Sequence, residues 1–497
     1  MKRGIGFVVA LVLLGARPAP VQDPPIVDRP EKLAYPAMKY EVPDPASMRT
    51  VLKNGMVVYA IEDRSLPKID LSIVLRTGGF WEPKGKEGLA GMTGALMRTG
   101  GTKTRPPQEV DDQVEFLAAQ LSVGIGDVSG SASLSILSKD FDAGLGLLTD
   151  ILANPDFKQD KIDLWKAQQL DRLKARNDAT ASIEGREANL LLYGDYPVNV
   201  HMTKASLDSI TRDDLVAFHR RFFHPSAMIV AVAGDFSKAD LLAKLEGACK
   251  DWPTPAPEKV AIPPVTNQPK PGVYCLPAKQ ANVNQGRVTI GHLGIDLNNP
   301  DAFIVRIMSY IFGQGGFSSR LVKVVRTDAG LAYSVGCDFR PGISFTGTFR
   351  MVFQSRSESC LYAAKLCLQE MERMQKEPVA DEELKSAISF YLDAFPGLFF
   401  ATPIGTASTF ASAEFNGYPK DYYQTYRAKI AAVTAADIQR AAKQYMKADK
   451  LVFVFVGNLG AIKGGDGKNP VKIEDFGAVI DLPLPDPLTL ERPTPGQ

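Results

Sequence analysis

The second half of the sequence contains an arginine and a tyrosine whose spacing could serve peptide recognition. In SSRLVKVVRTDAGLAYSV, a predicted helix ends near Arg326, Gly330 can take a left-handed turn, and LAYSV begins a strand with Tyr333. The two side chains could therefore converge on one side of the turn and donate hydrogen bonds to a peptide carbonyl or carboxylate. Spacing alone favours more ordinary roles, a cation at a helix C-terminus and a packed strand aromatic. The preceding FGQGGFSSRL predicts a turn with a cap from Ser318 or Ser319.

A second stretch, GLAGMTGALMRTGGT at residues 88–102, begins a predicted helix with few side chains. Small residues repeat along one face of it: Gly88, Ala90, Gly91, Gly94 and Ala95. An interior glycine costs a helix about 0.5–1 kcal/mol relative to alanine. We therefore expect close contact at this face, either with neighbouring core elements or as the smooth wall of a cleft that admits a peptide backbone. The spacing GxxGxxG does not match a nucleotide-binding loop.

Residues that commonly bind metals are scattered. The four histidines are His201, His219, His224 and His292. His219 and His224 are five residues apart across a helix end, which does not place them on one face as a ligand pair, and we expect structural roles for all four. The five cysteines contain no CxxC pair, and their odd number excludes a complete disulfide framework. We expect no metal bound by this chain.

Length and composition indicate a large protein without an overall electrostatic field. The chain has 497 residues and a net charge of +1, so no global charge attracts nucleic acid or an anionic membrane. Proline-rich stretches separate two long segments. The predicted organisation is a signal peptide at 1–19, an extended segment at 20–46, a first domain at 47–252, a linker at 253–272, a second domain at 273–462 and a proline-rich tail at 463–497.

The first residues have the pattern of an export signal. Lys2 and Arg3 precede an apolar run at 5–14, and the small residues Ala16 and Ala19 suit cleavage. The run of about ten residues is too short to span a bilayer roughly 30 Å thick. We expect a periplasmic or extracellular protein with no membrane span after cleavage.

The two long segments are weak repeats of each other. TRDDLVAFHRRFF leads into MIVAVAGDF in the first, and TAADIQRAAKQYM leads into LVFVFVGNL in the second. FDAGLGLLTDILANPDF likewise parallels LYAAKLCLQEMERMQKEPV. Hairpin patterns such as QLSVGIGDVSGSASLSILS favour an α+β fold over a parallel βαβ series. We predict two homologous α+β domains, each a largely antiparallel sheet with helices packed on it.

Three stretches together resemble the pitrilysin/insulinase metallopeptidase family, which includes mitochondrial processing peptidase and bacterial relatives. They are VLKNGMVVYAIEDRSLPKIDLSIVLRTGG, the series YGDYP…TKASLDSITRDDLVAFHRRFFHPSAMIVAVAGDF, and GGFSSRLVKVVRTDAGLAYSV. The resemblance runs from about Arg49 to Gly460. It implies a duplicated α+β unit whose halves face each other like a clamshell.

The resemblance also implies which residues to compare. Active members carry His-x-x-Glu-His on a helix, where the histidines bind zinc and the glutamate acts as general base. The matching positions here are Gly91, Gly94 and Ala95, none of which has a donor atom. The third ligand, a glutamate about 75 residues later, falls in WKAQQLDRLKAR, where the candidates are Gln168, Gln169 and Asp171. Arg326 and Tyr333 match the family's arginine/tyrosine pair, which helps to position the scissile peptide.

The sequence therefore predicts a non-catalytic subunit of an exported heteromeric metallopeptidase. Arg326 and Tyr333 would bind unfolded peptide for a homologous zinc-bearing partner, and the chain alone would hydrolyse nothing. One alternative is an independent peptide-binding or scaffold protein. Another is a peptidase with a non-standard metal site or a nucleophile such as Ser318.

Overall fold

The computed structural model describes most of the chain: Arg29, Leu33 and residues 40–493, except Pro257, Lys259 and Ala281. Residues 42–497 form one compact unit and residues 1–41 a separate one. The predicted signal peptide and most of the segment at 20–46 lie outside the described residues. All contacts reported below lie within the larger unit.

The first sheet is formed by strands from the first half of the chain. They are β1 Arg49–Val51, β2 Val57–Glu62, β3 Lys68–Leu75, β4 Gln120–Ile125, β5 Gly130–Leu137 and β6 Met228–Gly234. Their order is β1-β2-β6-β3-β5-β4, and only β2 and β6 run parallel. β3 buries every second side chain, as expected of a strand with one core face. β4 lies at the edge of the sheet.

The described part of the first half contains nine helices. They are α1 Pro45–Met48, α2 Leu89–Thr99, α3 Pro107–Phe116, α4 Phe141–Ala153, α5 Gln159–Lys174, α6 Thr180–Tyr193, α7 Lys204–Ser209, α8 Arg212–Phe222 and α9 Lys238–Ala248. Apolar residues of α2, α4, α8 and α9 share one core with the sheet.

Five strands of the second sheet repeat the order of the first. Its strands are β7 Gly272–Pro277, β8 Gln285–Leu293, β9 Ala332–Phe339, β10 Thr348–Arg356, β11 Val452–Gly457 and β12 Val479–Asp481. The order is β12-β7-β11-β8-β10-β9, so β9 occupies the edge position that β4 has in the first sheet. β7 runs parallel to β11 and β12, and the other pairs are antiparallel.

The helices of the second half complete the repeat. They are α10 Ala302–Ser309, α11 Cys360–Lys376, α12 Asp381–Phe399, α13 Pro403–Phe415, α14 Tyr422–Ala431, α15 Ala435–Tyr445 and α16 Leu459–Gly464, together with π-helical segments at Tyr310–Gln314 and Val322–Asp328. α8 and α15 each precede the strand that forms the third position of its sheet, and each begins at a threonine that makes a capping box with an aspartate. The predicted fold class, two homologous α+β halves, is confirmed.

Each half places one helix on the sheet of the other half. α6 packs against β11 and β8 of the second sheet, and Tyr193 donates a hydrogen bond to the Thr346 carbonyl at 2.9 Å. In return, α13 packs on the first sheet, where Glu414 accepts hydrogen bonds from Arg49 and Tyr59 at 2.8 and 2.6 Å. The two sheets are therefore joined by exchanged helices.

The proline-rich tail runs from the second sheet to helices of the first half. β12 extends the second sheet, and Leu488 packs against the core of the first. Along the way, the Pro485 carbonyl accepts a hydrogen bond from Asn177 and the Leu488 carbonyl one from the Lys204 amide, both at 2.8 Å. The tail therefore fastens to both halves.

No single described helix has both the length and the apolarity that a membrane span needs. α12 and α13 pass together by length and composition only, as a pair bent by 102°.

Candidate functional site

Arg326 lies on a widened turn at the edge of the second sheet. The segment Val322–Asp328 is π-helical, and the Leu331 amide reaches back to the Val325 carbonyl at 2.9 Å. Gly330 follows with φ +63°, the left-handed conformation that the sequence predicts. Single π-helical turns are rare and occur frequently at functional sites, because they rotate side chains away from the regular helical faces.

The turn brings Arg326 between two aromatic rings. Its guanidinium carbon lies 4.6 Å from the ring centroid of Tyr333, on β9, and 4.5 Å from that of Phe317. Tyr333 is 84% exposed and Phe317 72% exposed, so this aromatic cluster faces solvent. Among the described residues, Arg326 has neither an acidic partner nor a hydrogen bond. The guanidinium is therefore positioned, yet its donors remain available for a ligand.

Phe317 is a member of this cluster that sequence reasoning missed. It belongs to a short 3-10 turn at Gly316–Ser318, in a segment predicted only as a Gly/Ser turn. The expected helix cap by serine is wrong, because Ser318 and Ser319 donate back to the Gly315 and Gly316 carbonyls at 2.8 and 2.7 Å. The signal was the aromatic residue itself, since a phenylalanine in a glycine-rich turn has few ways to become buried.

The glycines of α2 have separate explanations. A Cβ at Gly94 would lie 2.8 Å from the Ile125 backbone nitrogen, so this position lets α2 press against the edge strand β4. A Cβ at Gly91 would meet nothing within 4 Å, and the residue is exposed. Close packing against β4 therefore requires a glycine at position 94, whereas position 91 has room for a side chain. Ala95 is half-buried.

The N-terminus of α2 is capped by a carboxylate that the sequence analysis did not identify. Glu82 accepts hydrogen bonds from the Ala90 amide at 2.7 Å and the Gly88 amide at 3.2 Å. Burial raises the pKa of Glu82 to about 7, against the lowering effect of these amides and with a further rise from Glu87 and Asp127. A carboxyl group that titrates near neutral pH thus lies beside the open end of α2.

The region expected to hold the third ligand presents no cluster of carboxylates. Gln168 and Asp171 are exposed on α5, and Asp171 pairs with Lys174 at 3.0 Å. Gln169 is half-buried and accepts a bond from Arg172 at 3.4 Å. Across the part of the chain that the structure describes, no group of three or more His, Cys, Asp or Glu side chains is arranged to hold a metal ion.

Three of the histidines have structural partners. His219 donates from Nε2 to the Leu152 carbonyl at 2.7 Å, and burial lowers its pKa to about 4. His292 donates from Nδ1 to the Leu293 carbonyl and accepts the Lys447 amide at Nε2. His224 bonds Ser226 at 2.9 Å. His201 differs, because its buried Nε2 has no hydrogen-bond partner among the described residues.

Both candidate features lie at sheet edges. β4 pairs only with β5 among the described strands, and β9 pairs only with β10. An edge strand exposes unpaired amides and carbonyls, to which an extended peptide can add as a further strand. α2 borders one such edge, and Tyr333 projects from the other.

Comparison with known proteins places these features in context. Residues 209–391 match the family model described as the Peptidase M16 inactive domain. A Helicobacter pylori protein named non-peptidase homolog YmxG is 24% identical over 408 residues, 81% of this chain and 91% of that one. A Rickettsia bellii protein named as an uncharacterized zinc protease is 22% identical over 339 residues, 68% of this chain and 80% of its own. The sequence is thus similar to proteins of both kinds.

Solved structures share the fold. The crystal structure of a peptidase M16 inactive domain from Pseudomonas fluorescens superimposes with a TM-score of 0.73 at 24% identity. The superposition covers 82% of this chain and 97% of that one. The shared fold therefore extends over nearly the whole length of that structure.

Proposed function

Because the chain belongs to the pitrilysin/insulinase (M16) peptidase family as a non-catalytic member without the inverted zinc motif, we propose that it binds and positions peptides for a zinc-bearing homologous subunit. The observation that carries the proposal is the unpaired guanidinium of Arg326 between Tyr333 and Phe317. Its donors suit a peptide carbonyl or terminal carboxylate. Gly91, Gly94 and Ala95 leave the motif positions without any metal donor.

The sheet edges supply the rest of the proposed peptide site. A peptide that extends β9 would run beside Tyr333, since this residue is the second of the strand. Main-chain hydrogen bonds to a strand edge carry little sequence information, which suits a subunit that receives varied unfolded peptides. The zinc expected in the complete enzyme would then belong to the partner subunit.

The decisive experiment combines the chain with an M16 homologue that contains an intact His-x-x-Glu-His. We expect co-purification, cleavage of an unstructured peptide by the mixture, and none by this chain alone. Arg326→Ala should lower cleavage by the mixture on the order of 10–100-fold, because positioning by a fixed donor contributes that much. Arg356→Ala is the matched control, since that side chain is 71% exposed on β10. Equal rates for both variants would remove Arg326 from the proposal.

An independent peptide-binding or scaffold protein is the second candidate, favoured by the YmxG relative named as a non-peptidase homolog. It predicts peptide binding by the isolated chain and no effect of Arg326→Ala or Tyr333→Phe on any partner's activity. A peptidase with a non-standard metal site is the third candidate. It predicts stoichiometric zinc in the purified chain and cleavage that a chelator abolishes.

Export is part of the same proposal. The pattern at residues 1–19 supports a secreted or periplasmic protein whose partner resides in the same compartment. Cell fractionation and N-terminal sequencing of the mature chain test this directly. An intact Met1 in cytoplasmic material would refute it.

A further inference from the structure

A group of buried arginine nitrogens near the end of α5 lacks hydrogen-bond acceptors among the described residues. Arg186, on α6, is 9% exposed, and both of its Nη atoms lack a hydrogen bond. Nη1 of Arg176 is likewise buried and unpartnered. Buried guanidinium donors are almost always hydrogen-bonded, so several orphaned donors in one place indicate an occupant that binds them.

These arginines share one region. Arg176 donates from Nη2 to the Met202 carbonyl at 2.7 Å, next to His201. The buried Nε2 of His201 is a further polar atom without a partner. Burial lowers the pKa of His201, and the charges of Arg176 and Arg186 lower it further. His201 therefore stays neutral at pH 7 beside two cations and can donate a hydrogen bond from its ring.

Positive charge exceeds negative charge inside this region. Glu187 is the enclosed carboxylate, 1% exposed, and it is already engaged by Arg186 Nε at 3.0 Å and by Arg492. Nη2 of Arg186 lies 2.9 Å from the same Glu187 oxygen but outside hydrogen-bonding geometry. The guanidiniums of Arg186 and Arg492 thus contact one buried carboxylate and Arg176 lies near Arg186, with Asp127 nearby but exposed. An uncompensated buried charge is strongly unfavourable unless a counterion accompanies it.

The tail closes this region. Asn177 Nδ2 donates to the Pro485 carbonyl, and Arg492 bonds both the Pro483 carbonyl and Glu187. Asn177 Oδ1, by contrast, is buried without a partner. The atoms without hydrogen-bond partners are each out of contact with solvent, so only a small ligand, and not a polypeptide, could reach them.

We infer that Arg176, Arg186 and His201 bind one small oxyanion, which the C-terminal tail encloses with Arg492. The guanidinium fork matches the oxygen spacing of phosphate, sulfate or a carboxylate. Asn177 Oδ1 can accept a hydrogen bond from a protonated oxygen, which hydrogen phosphate offers near pH 7 and sulfate and acetate do not. The inference is independent of any peptidase partner, because none of these residues belongs to the aromatic cluster around Arg326.

The test measures the melting temperature of the full mature chain in HEPES, with ionic strength held constant by sodium chloride. Phosphate, sulfate and acetate are titrated separately, which distinguishes tetrahedral oxyanions from carboxylates. We expect a saturable rise with phosphate of about 3 °C at a hundred times the Kd. Arg186→Met should abolish the saturable rise, and Arg356→Met, an exposed control, should keep it.

Two results would overturn the inference. One is the same rise in the wild type and both variants, because excluded oxyanions stabilise proteins without a site. The other is a wild type with no saturable rise and no ion released on denaturation, as measured by ion chromatography, which would mean that water fills the space. If Arg186→Met fails to fold, the amount of ion released when the wild type is denatured still tests the inference. About one oxyanion per chain is expected. Arg176→Met provides the second variant.

Discussion

Glu82 combines burial with a helix N-terminus, two influences that oppose each other. The amides of Gly88 and Ala90 favour its charged form, but burial prevails and the pKa rises to about 7. The folded protein therefore retains a proton that the unfolded chain loses from about pH 4.5 upward. Stability contributed by this proton is present at low pH and is lost as the pH rises towards 7.

Glu82→Gln should remove that loss. At pH 5 the variant and the wild type should be nearly equal in unfolding free energy, because Glu82 is then protonated. At pH 8 the variant should be more stable, on the order of 2–3 kcal/mol. Urea denaturation at the two pH values provides the measurement. A difference that does not change with pH would contradict the assigned pKa.

His219 predicts a pH dependence of the opposite sign. Its pKa is lowered to about 4 by burial, so the unfolded chain takes up a proton below about pH 6.5 that the folded protein excludes. Stability is complete above pH 6.5 and falls as the pH drops towards 4. His219→Gln keeps a donor for the Leu152 carbonyl. Between pH 7 and pH 5 the unfolding free energy of this variant should fall by about 2 kcal/mol less than that of the wild type. Parallel urea titrations of both proteins would reveal an equal loss if this assignment is wrong.

At the residue scale, contacts between residues that are close in the chain could be predicted from the sequence. Arg326 and Tyr333 are joined by one short turn, so their convergence follows from the turn at Gly330. Phe317 lies in a short 3-10 turn and Glu82 in a bend before α2, and neither feature leaves a periodic pattern in the sequence. The role of Arg326 and Tyr333 in binding peptide stays a prediction.

At the element scale, the packing of α2 against β4 depends on Gly94 and not on Gly91. Gly94→Ala places a methyl group 2.8 Å from the Ile125 nitrogen on β4, a backbone atom that cannot move alone. We expect a loss of about 1–3 kcal/mol in unfolding free energy, the usual cost of overpacking. Calorimetry or urea denaturation measures it.

Gly91→Ala is the matched control on the same helix. The new Cβ meets open space, and alanine favours helix over glycine by about 0.5–1 kcal/mol. The variant should therefore be slightly more stable than the wild type. If both substitutions had the same effect, close contact with β4 would not explain Gly94.

Most elements could be predicted from patterns, because local periodicity reports local burial. β6 and β11 are the apolar runs of the two repeats, and α8 and α15 begin at the threonines that precede them. The segment with Arg326 was predicted to end a helix, but its widened hydrogen bonding has no signature in residue type. Tertiary contacts between this segment and β9 accompany the widened hydrogen bonding.

At the scale of the whole molecule, the tail connects both halves. A chain that ends after Leu482 would lose Arg492 and leave Glu187 with one fewer cation. We expect an unfolding free energy lower by about 3 kcal/mol or more, the usual cost of breaking a buried pair. Hydrogen exchange should also become faster between Asn177 and Lys204, where the tail binds.

A chain that ends after Arg492 is the control, because it keeps every contact of the tail described above. Its exchange and stability should equal those of the full chain. Protection at 177–204 that is unchanged in the shorter truncation would contradict a fastening role. The sequence left the conformation of this tail open, since its prolines fit both disorder and an extended segment that lies on a surface.

The exchange of α6 and α13 was not predictable from the sequence. Neither helix has a strongly amphipathic pattern, and pattern alone cannot say which sheet receives them. In β6, successive side chains point to opposite faces of the sheet. Val230 and Val232 belong to the core of the first half, and Ala231 and Ala233 are buried on the opposite face, where α13 packs.

The position of α13 affects how the protein can be made. A ribosome adding 5–20 residues per second needs roughly 10–35 s to proceed from the last strand of the first sheet to Phe415. During that interval the nascent first half has one apolar sheet face without its cover. We expect this half to remain bound to a holding chaperone until the later helix emerges, and a gene split between the halves to yield soluble protein only when both pieces are synthesised together.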